Sequence, residues 1–137
     1  MQLQVVTPTG TSIQLEVDEV TLPGLSGEFG VLKGHIPFVS ALQPGVLRYR
    51  QGTTKERLAI GAGFAEVAPV DAAAPHGKVV VLTEAALKPS EVDTAAAKKS
   101  LEETQAALKN HAQTGPQRTE LENRAKWAQA QLHLSSS

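Results

Sequence analysis

Cysteine is absent from the 137-residue chain, and with it go disulfides, thiolate nucleophiles and Cys-ligated zinc. That absence suits a reducing compartment. An excess of either charge is missing as well. Thirteen basic residues stand against 14 acidic ones, for a formal net charge of -1, which leaves no global field to hold DNA or RNA. Nucleic acid is therefore not an expected partner. No apolar run approaches the roughly 20 residues needed to cross a bilayer, and the start MQLQVVTPTG has neither the basic opening nor the apolar segment of a signal peptide. The expectation is a soluble, intracellular protein that can still attach to something embedded in a membrane. The four histidines, His35, His76, His111 and His133, are scattered, with no pair at metal-ligand spacing. No metal site is expected.

What is present is a 41% hydrophobic chain, long enough for one ordinary domain or a small domain with an appendage. From Leu3 to about Leu82 it is rich in Val, Ile, Thr and Gly and alternates at period two: Ile13, Leu15, Val17; Leu47 and Tyr49 against Arg48 and Arg50; Leu58, Ile60, Phe64. Turn signals recur at Pro8-Thr9-Gly10, Pro23-Gly24, Pro44-Gly45, Gln51-Gly52 and Pro75-His76-Gly77, the spacing of a compact antiparallel sandwich or barrel. The parity of apolar positions shifts between Val17 and Val20, which predicts a bulge or bend near Asp18 and Glu19. Residues 22 to 45 hold five glycines and three prolines among apolar residues, a chain that keeps turning while it stays hydrophobic.

After Leu87 the character changes to Ala, Glu, Lys and Gln. Ser90-Glu91-Val92-Asp93 has the form of a capping box and predicts a helix start there. Ala97, Leu101, Thr104 and Leu108 make one apolar stripe, and Leu121, Ala125, Ala128 and Leu132 repeat the spacing after an interruption at Asn110 to Pro116. Two helices in a hairpin follow, with Ser135 to Ser137 frayed at the end. From Ser90 onward only nine alanines and five leucines are available for packing, too little apolar surface to hold a hairpin ordered by itself. It needs another surface: the β domain, a partner, or each in turn.

Several residues invite chemistry and have plainer readings. Gly61-Ala62-Gly63 follows a strand, but a dinucleotide loop must open a helix, and Phe64-Ala65-Glu66-Val67 stays strand-like. Close backbone packing or a bend in a sheet explains it. His35, between Gly34 and Ile36-Pro37, reads as a half-buried imidazole satisfied by backbone groups; His76 and His133 read as surface residues and His111 as part of the inter-helix turn. Glu28, flanked by Gly27 and Phe29, is either a solvated turn residue or a polar contact on an exposed loop. Acid/base catalysis would need a second group within reach and a perturbed pKa, and the sequence shows neither. The hairpin cations Lys98, Lys99, Lys109, Arg118, Arg124 and Lys126 alternate with glutamates, so Glu120 is expected to pair with Arg124 and Glu122 with Lys126. Engagement of an acidic partner by these cations is the competing reading. Two other functions fit less well. An adaptor inserting a hairpin into a channel would want an acidic tip, where this chain has Asn110, His111 and Gln113. A nucleotide-using enzyme centred on Gly61 and Gly63 lacks its helix.

The motif Pro23-Gly24, then Gly27-Glu28-Phe29-Gly30-Val31-Leu32-Lys33-Gly34-His35-Ile36-Pro37, then Leu42-Gln43-Pro44-Gly45-Val46-Leu47 strongly resembles the epsilon subunit of bacterial-type F-type ATP synthases. Ala62-Gly63-Phe64-Ala65-Glu66-Val67 resembles that family's glycine-rich strand. The resemblance implies an α+β chain: an antiparallel β-sandwich of about ten strands over residues 1–87, then an antiparallel two-helix hairpin over 88–137. It implies a non-catalytic rotor subunit without cofactor, joining the gamma subunit to the c-ring on the cytoplasmic face of the bacterial inner membrane. That subunit takes part in proton-driven ATP synthesis and reaches the membrane only through the complex. Glu28 then falls where the family meets the c-ring and His35 where it lies against gamma. The helices carrying Arg118, Arg124 and Lys126 become a regulatory element, folded on the sandwich or extended into the alpha/beta head, where it blocks hydrolysis. Some members bind ATP through an Ile/Leu-Asp-x-x-Arg-Ala motif. Here Val92-Asp93-Thr94-Ala95-Ala96-Ala97 replaces the arginine with Ala96, which predicts weak or absent ATP binding.

Overall fold

The computed structural model describes residues 1–34, 36–72, 74–110 and 115–136. Strands β1 Gln2–Thr7, β2 Gly10–Glu16, β3 Glu19–Gly24, β4 Gly27–Leu32, β5 Phe38–Leu42, β6 Gly45–Gln51, β7 Thr54–Ile60, β8 Gly63–Ala68, β9 Lys78–Thr83 and β10 Ala86–Leu87 come first. A 3-10 turn at Pro89–Glu91 leads to helices α1 Thr94–Asn110 and α2 Pro116–Ser136. Alternating apolar residues and frequent turn signals thus become short strands, and the Ala- and Glu-rich tail becomes helix. The bend expected near Asp18 falls between β2 and β3.

The strands run in the order β10-β7-β6-β3-β5-β8-β9-β1-β2, with β4 also on β3. Strand β3 is the fold's corner. Its first half pairs with β6 through Glu19, Val20 and Thr21, and its last residue, Gly24, pairs with Leu42 of β5. The sheet therefore turns over on itself, and the two layers enclose one core. Val20, Leu22, Val31, Leu47, Leu58 and Ile60 come from one side, and Leu3, Val5, Leu42, Ala65, Val67, Val79 and Val81 from the other.

Glycine is required at this corner because nothing larger fits. A Cβ on Gly24 would lie 2.5 Å from the Gly27 carbonyl oxygen and 2.8 Å from the Phe29 ring. One on Gly45 would lie 2.6 Å from the Pro23 Cβ. The Gln43 amide closes the corner by donating to the Gly24 carbonyl at 2.9 Å. A stretch that turns while staying apolar is what a sheet needs where it folds onto its own core.

The antiparallel sandwich is present with one parallel pair, and the expected helix start needs correction. Among the described residues every strand pairing is antiparallel except one: β1 runs parallel to β9, Gln2 opposite Lys78 through Val6 opposite Leu82. The partners are distant in sequence, so the long connection that a parallel pair demands is supplied by the rest of the sheet. The helix start also moves. Pro89 supports a separate 3-10 turn, in which the Glu91 carboxylate accepts from the Lys88 amide at 2.8 Å. Val92 is then extended (φ -76°, ψ 127°), so Asp93, not Ser90, caps α1, accepting the Ala96 amide at 3.0 Å. At the other end, α2 runs to Ser136, and Ser137 lies outside the described residues.

Gly61 and Gly63 mark close packing at the β7–β8 connection. The Thr83 hydroxyl donates to the Gly61 carbonyl at 2.9 Å, and a Cβ on Gly63 would fall on the Leu82 carbonyl oxygen of the neighbouring strand. Because backbone rather than a mobile side chain blocks the space, Gly63→Ala is expected to destabilise the sandwich by about 1–3 kcal/mol. Thermal unfolding monitored by circular dichroism checks this; an unchanged midpoint would refute the close approach.

Candidate functional site

Two surfaces stand out once the strands are aligned. The first is an outward row on the β5–β8–β9–β1 layer. Ala41 opposes Phe64, Phe64 opposes Leu82, and Leu82 opposes Val6, so four apolar side chains cross four strands on the face away from the core. Phe64 is 57% exposed, Leu82 52%, and Val39, two residues along β5 from Ala41, 66%. Ile36, just before β5, is also exposed. A shallow cleft of about 620 Å³ runs beside the row, lined among others by Val6, Pro8, Phe64 and Leu82. Large side chains held in register and open to water mark an interaction surface.

The second surface is the seam under the hairpin. Ala125 and Ala128, with half-buried Leu121 and Leu132, form the stripe expected on α2, and α1 meets it with Ala97 and Thr104. A second stripe went unpredicted. Ala130 and Leu134 pack on Val46 of β6 and Ala59 of β7, with Trp127 and Val92 at the edges. Arg57 of β7 adds a bond of 3.5 Å to the Leu134 carbonyl, satisfying one of the orphan acceptors in the last turn. The hairpin rests on the β domain, the first of the surfaces considered for it, through few large side chains.

Charged residues tie the ends of the sandwich. Asp18 accepts from the Gly52 amide at 2.6 Å and lies 3.2 Å from Lys33 Nζ and 3.7 Å from Arg50 Nη1. The backbone bond, then Lys33, holds its carboxyl below the ordinary carboxylate value. Partial burial, with the Glu56 charge, pushes the Tyr49 hydroxyl up.

Glu28 sits exposed on β4 and accepts from Arg48 Nη1 at 2.8 Å. His35 lies outside the described residues. On α2, Arg124 pairs with Glu120 at 3.3 Å as expected, but Glu122 pairs with Arg118 at 3.0 Å and not with Lys126. Lys126 instead lines a cleft that also holds Glu28 and Arg48. Lys126 and Glu28 thus share the lining of one cleft, while Arg118 and Arg124 pair along the helix. Arg124 borders a different cleft of about 670 Å³ beside Trp127 and Glu84. Asp93, the aspartate of the nucleotide motif, serves as the α1 cap, and Ala96 at the arginine position offers only a methyl and an amide. Among the described residues no three His, Asp or Glu side chains gather to hold a metal, and no helix is long and apolar enough to cross a membrane.

Residues 1–89 match the family described as ATP synthase, Delta/Epsilon chain, beta-sandwich domain. The chain belongs to that family. It is 43% identical over 108 residues to an ATP synthase epsilon chain from Lawsonia intracellularis, covering 79% of this chain and 76% of the relative. It is 38% identical, with the same coverage, to one from Anaeromyxobacter sp. strain K. Among solved structures it superposes, with a TM-score of 0.73 and 28% identity, on a chain of the Euglena gracilis mitochondrial ATP synthase, solved as OSCP/F1/c-ring in rotational state 1; 93% of this chain and 76% of that chain are covered. A central stalk/c-ring chain from Tetrahymena thermophila shares the fold at a TM-score of 0.53 and 12% identity, over 66% of this chain and 68% of that one. As a family member the chain is a non-catalytic subunit of ATP synthase.

The seam makes a direct test possible, because Trp127 is the only tryptophan and lies at its edge. Leu134→Ala should remove about 2–4 kcal/mol of docking energy, shift Trp127 emission to the red and leave the sandwich melting unchanged. Unaltered emission would show that the seam does not hold the hairpin.

Proposed function

We propose that the chain is the epsilon-type rotor subunit of a bacterial ATP synthase, coupling the catalytic head to the c-ring in proton-driven synthesis at the cytoplasmic face of the inner membrane. In this reading residues 1–87 are the coupling unit. Residues 88–137 are a regulatory hairpin that restrains ATP hydrolysis when it extends into the alpha/beta head. The observation that carries the proposal is the open row of Val6, Ala41, Phe64 and Leu82, extended by Val39. A subunit that transmits torque needs a stiff body with an apolar face for its neighbour, and this face lies opposite the core of a closed sandwich.

In this arrangement the gamma subunit covers the row, with His35 as the gamma contact that the family resemblance implies, and the c-ring meets the sandwich end at Glu28. The regulatory role draws support from the seam. Burial of Leu134 stabilises by about 1.5–3 kcal/mol, a scale on which a hairpin can exchange one resting surface for another. Arg118, Arg124 and Lys126 are the cations that the extended hairpin would present to the head.

Reconstitution into a synthase lacking this subunit separates the two roles. Deleting residues 90 to 137 should leave ATP synthesis coupled and raise ATP hydrolysis. Loss of assembly, or hydrolysis unchanged, would overturn the regulatory role.

Phe64→Glu, in contrast, should abolish incorporation into the complex while the isolated subunit melts within about 0.5 kcal/mol of the parent, as an exposed substitution does. Normal incorporation would show that the row is not the coupling face.

A further inference from the structure

Glu28 stands at the β3–β4 end of the sandwich, and Arg48, its partner at 2.8 Å, stands on β6 two residues beyond Val46. Val46 is part of the docking seam with Ala130 and Leu134. The pair therefore touches both the end of the sandwich and the ground on which α2 rests. One cleft of about 360 Å³ is lined by Glu28, Arg48, Val46 and, from α2, Lys126, Gln129 and His133. Its other lining residues, from Pro23, Gln43, Pro44, Gly45 and Ala130, carry no charge. Glu28 is thus the one carboxylate lining the cleft among the described residues, paired with Arg48, while Lys126 and His133 stand elsewhere on the same lining. It is also 56% exposed, within reach of an incoming chain.

We propose that the Glu28–Arg48 pair is an electrostatic latch for the docked hairpin. A partner group that takes the Glu28 carboxylate leaves Arg48 without its counter-charge in the cleft that Lys126 of α2 also lines, and the repulsion between the two cations loosens α2 from β6. The partner chemistry follows from the competition. Displacing a guanidinium from a carboxylate needs another cation or a set of converging amide donors, so the occupant is a basic or amide-bearing polar loop seated on the β3–β4 end. Engagement at that end and release of the hairpin are then two sides of one equilibrium. The latch deepens the proposed regulatory role and rests on it, but its test needs only the isolated full-length chain.

Hydrogen–deuterium exchange of the segment from Trp127 to Leu134 reads docking directly. Glu28→Gln should speed exchange there by about two- to fivefold at low salt, the scale of a partly exposed ion pair. The difference should shrink at about 0.5 M salt, where screening falls to a few ångströms. Removing the stranded cation should undo the effect, so Glu28→Gln with Arg48→Gln is expected to exchange like the parent chain. Exchange in β8 and β9 should stay constant in all variants, which separates undocking from unfolding. The proposal is overturned if Glu28→Gln leaves α2 unchanged, if the double variant stays as loose as the single one, or if salt has no influence. Failure of the regulatory reading looks different: hydrolysis would ignore the truncation whatever Glu28 does to exchange.

Discussion

Helix α2 has to bury two faces at once. At 3.6 residues per turn, Leu121, Ala125, Ala128 and Leu132 lie on one side, and Trp127, Ala130 and Leu134 lie roughly opposite. Helix α1 covers the first side, and the strands β6 and β7 cover the second. The two covers differ in kind. The first travels with α2 as part of the same hairpin; the second belongs to the sandwich and is left behind if the hairpin moves. Any movement must therefore deliver Leu134 and Trp127 to some other apolar surface, which makes the second stripe the element that links the tail to whatever it meets.

The same need for cover explains the sheet. Strand β9 reads Val79-Val80-Val81-Leu82, and β5 reads Phe38-Val39-Ser40-Ala41-Leu42, apolar at successive positions and not only at alternate ones. A strand with water on one face should alternate; continuous apolar residues belong to strands covered on both faces. The core takes Val79 and Val81, and the outer face keeps Leu82 with Phe64 and Val39. The sheet is thus built with one more apolar face than the isolated chain can hide.

Much of this was legible in the sequence because it depends on local rules. Alternation gave the strands, Gly115-Pro116 gave the break between helices, and the parity shift gave the bend at Asp18. The corner at Pro23–Gly24 was visible as turning, apolar chain, although part of its cause, the packing of Gly45 against Pro23 that leaves no room for a Cβ, is a tertiary fact. What stayed hidden depends on partners distant in sequence. Ser90 and Asp93 are both fit to cap a helix, and only the 3-10 turn at Pro89 and the extended Val92 decide between them. Glu122 has an arginine before it and a lysine after it at equal spacing, so spacing alone does not choose between them, and the structure pairs it with Arg118. The second stripe of α2 is spread among Gln129, Gln131 and His133, which dilute its signal. The outer row was open to discovery, since the unbroken apolar run in β9 already asked for a second cover.

A comparison of scale shows why two such parts can share a chain. The sandwich core joins fifteen buried apolar residues from both layers, whereas the docking seam joins four, two of them alanines. Free energy of local opening follows how much apolar surface a unit shares with the rest. The hairpin can therefore leave the sheet in a step far smaller than global unfolding, with the sandwich intact beneath it. Val46 and Ala59, the floor of the seam, are strand residues whose backbones stay paired to one another in the β6–β7 ladder whether or not α2 is present. Losing the helix exposes two small side chains and breaks no strand pairing. A rigid body and a detachable arm follow from where the large side chains were placed, and the charge pair beside the floor is the part of the seam that a neighbour can reach without lifting the helix first.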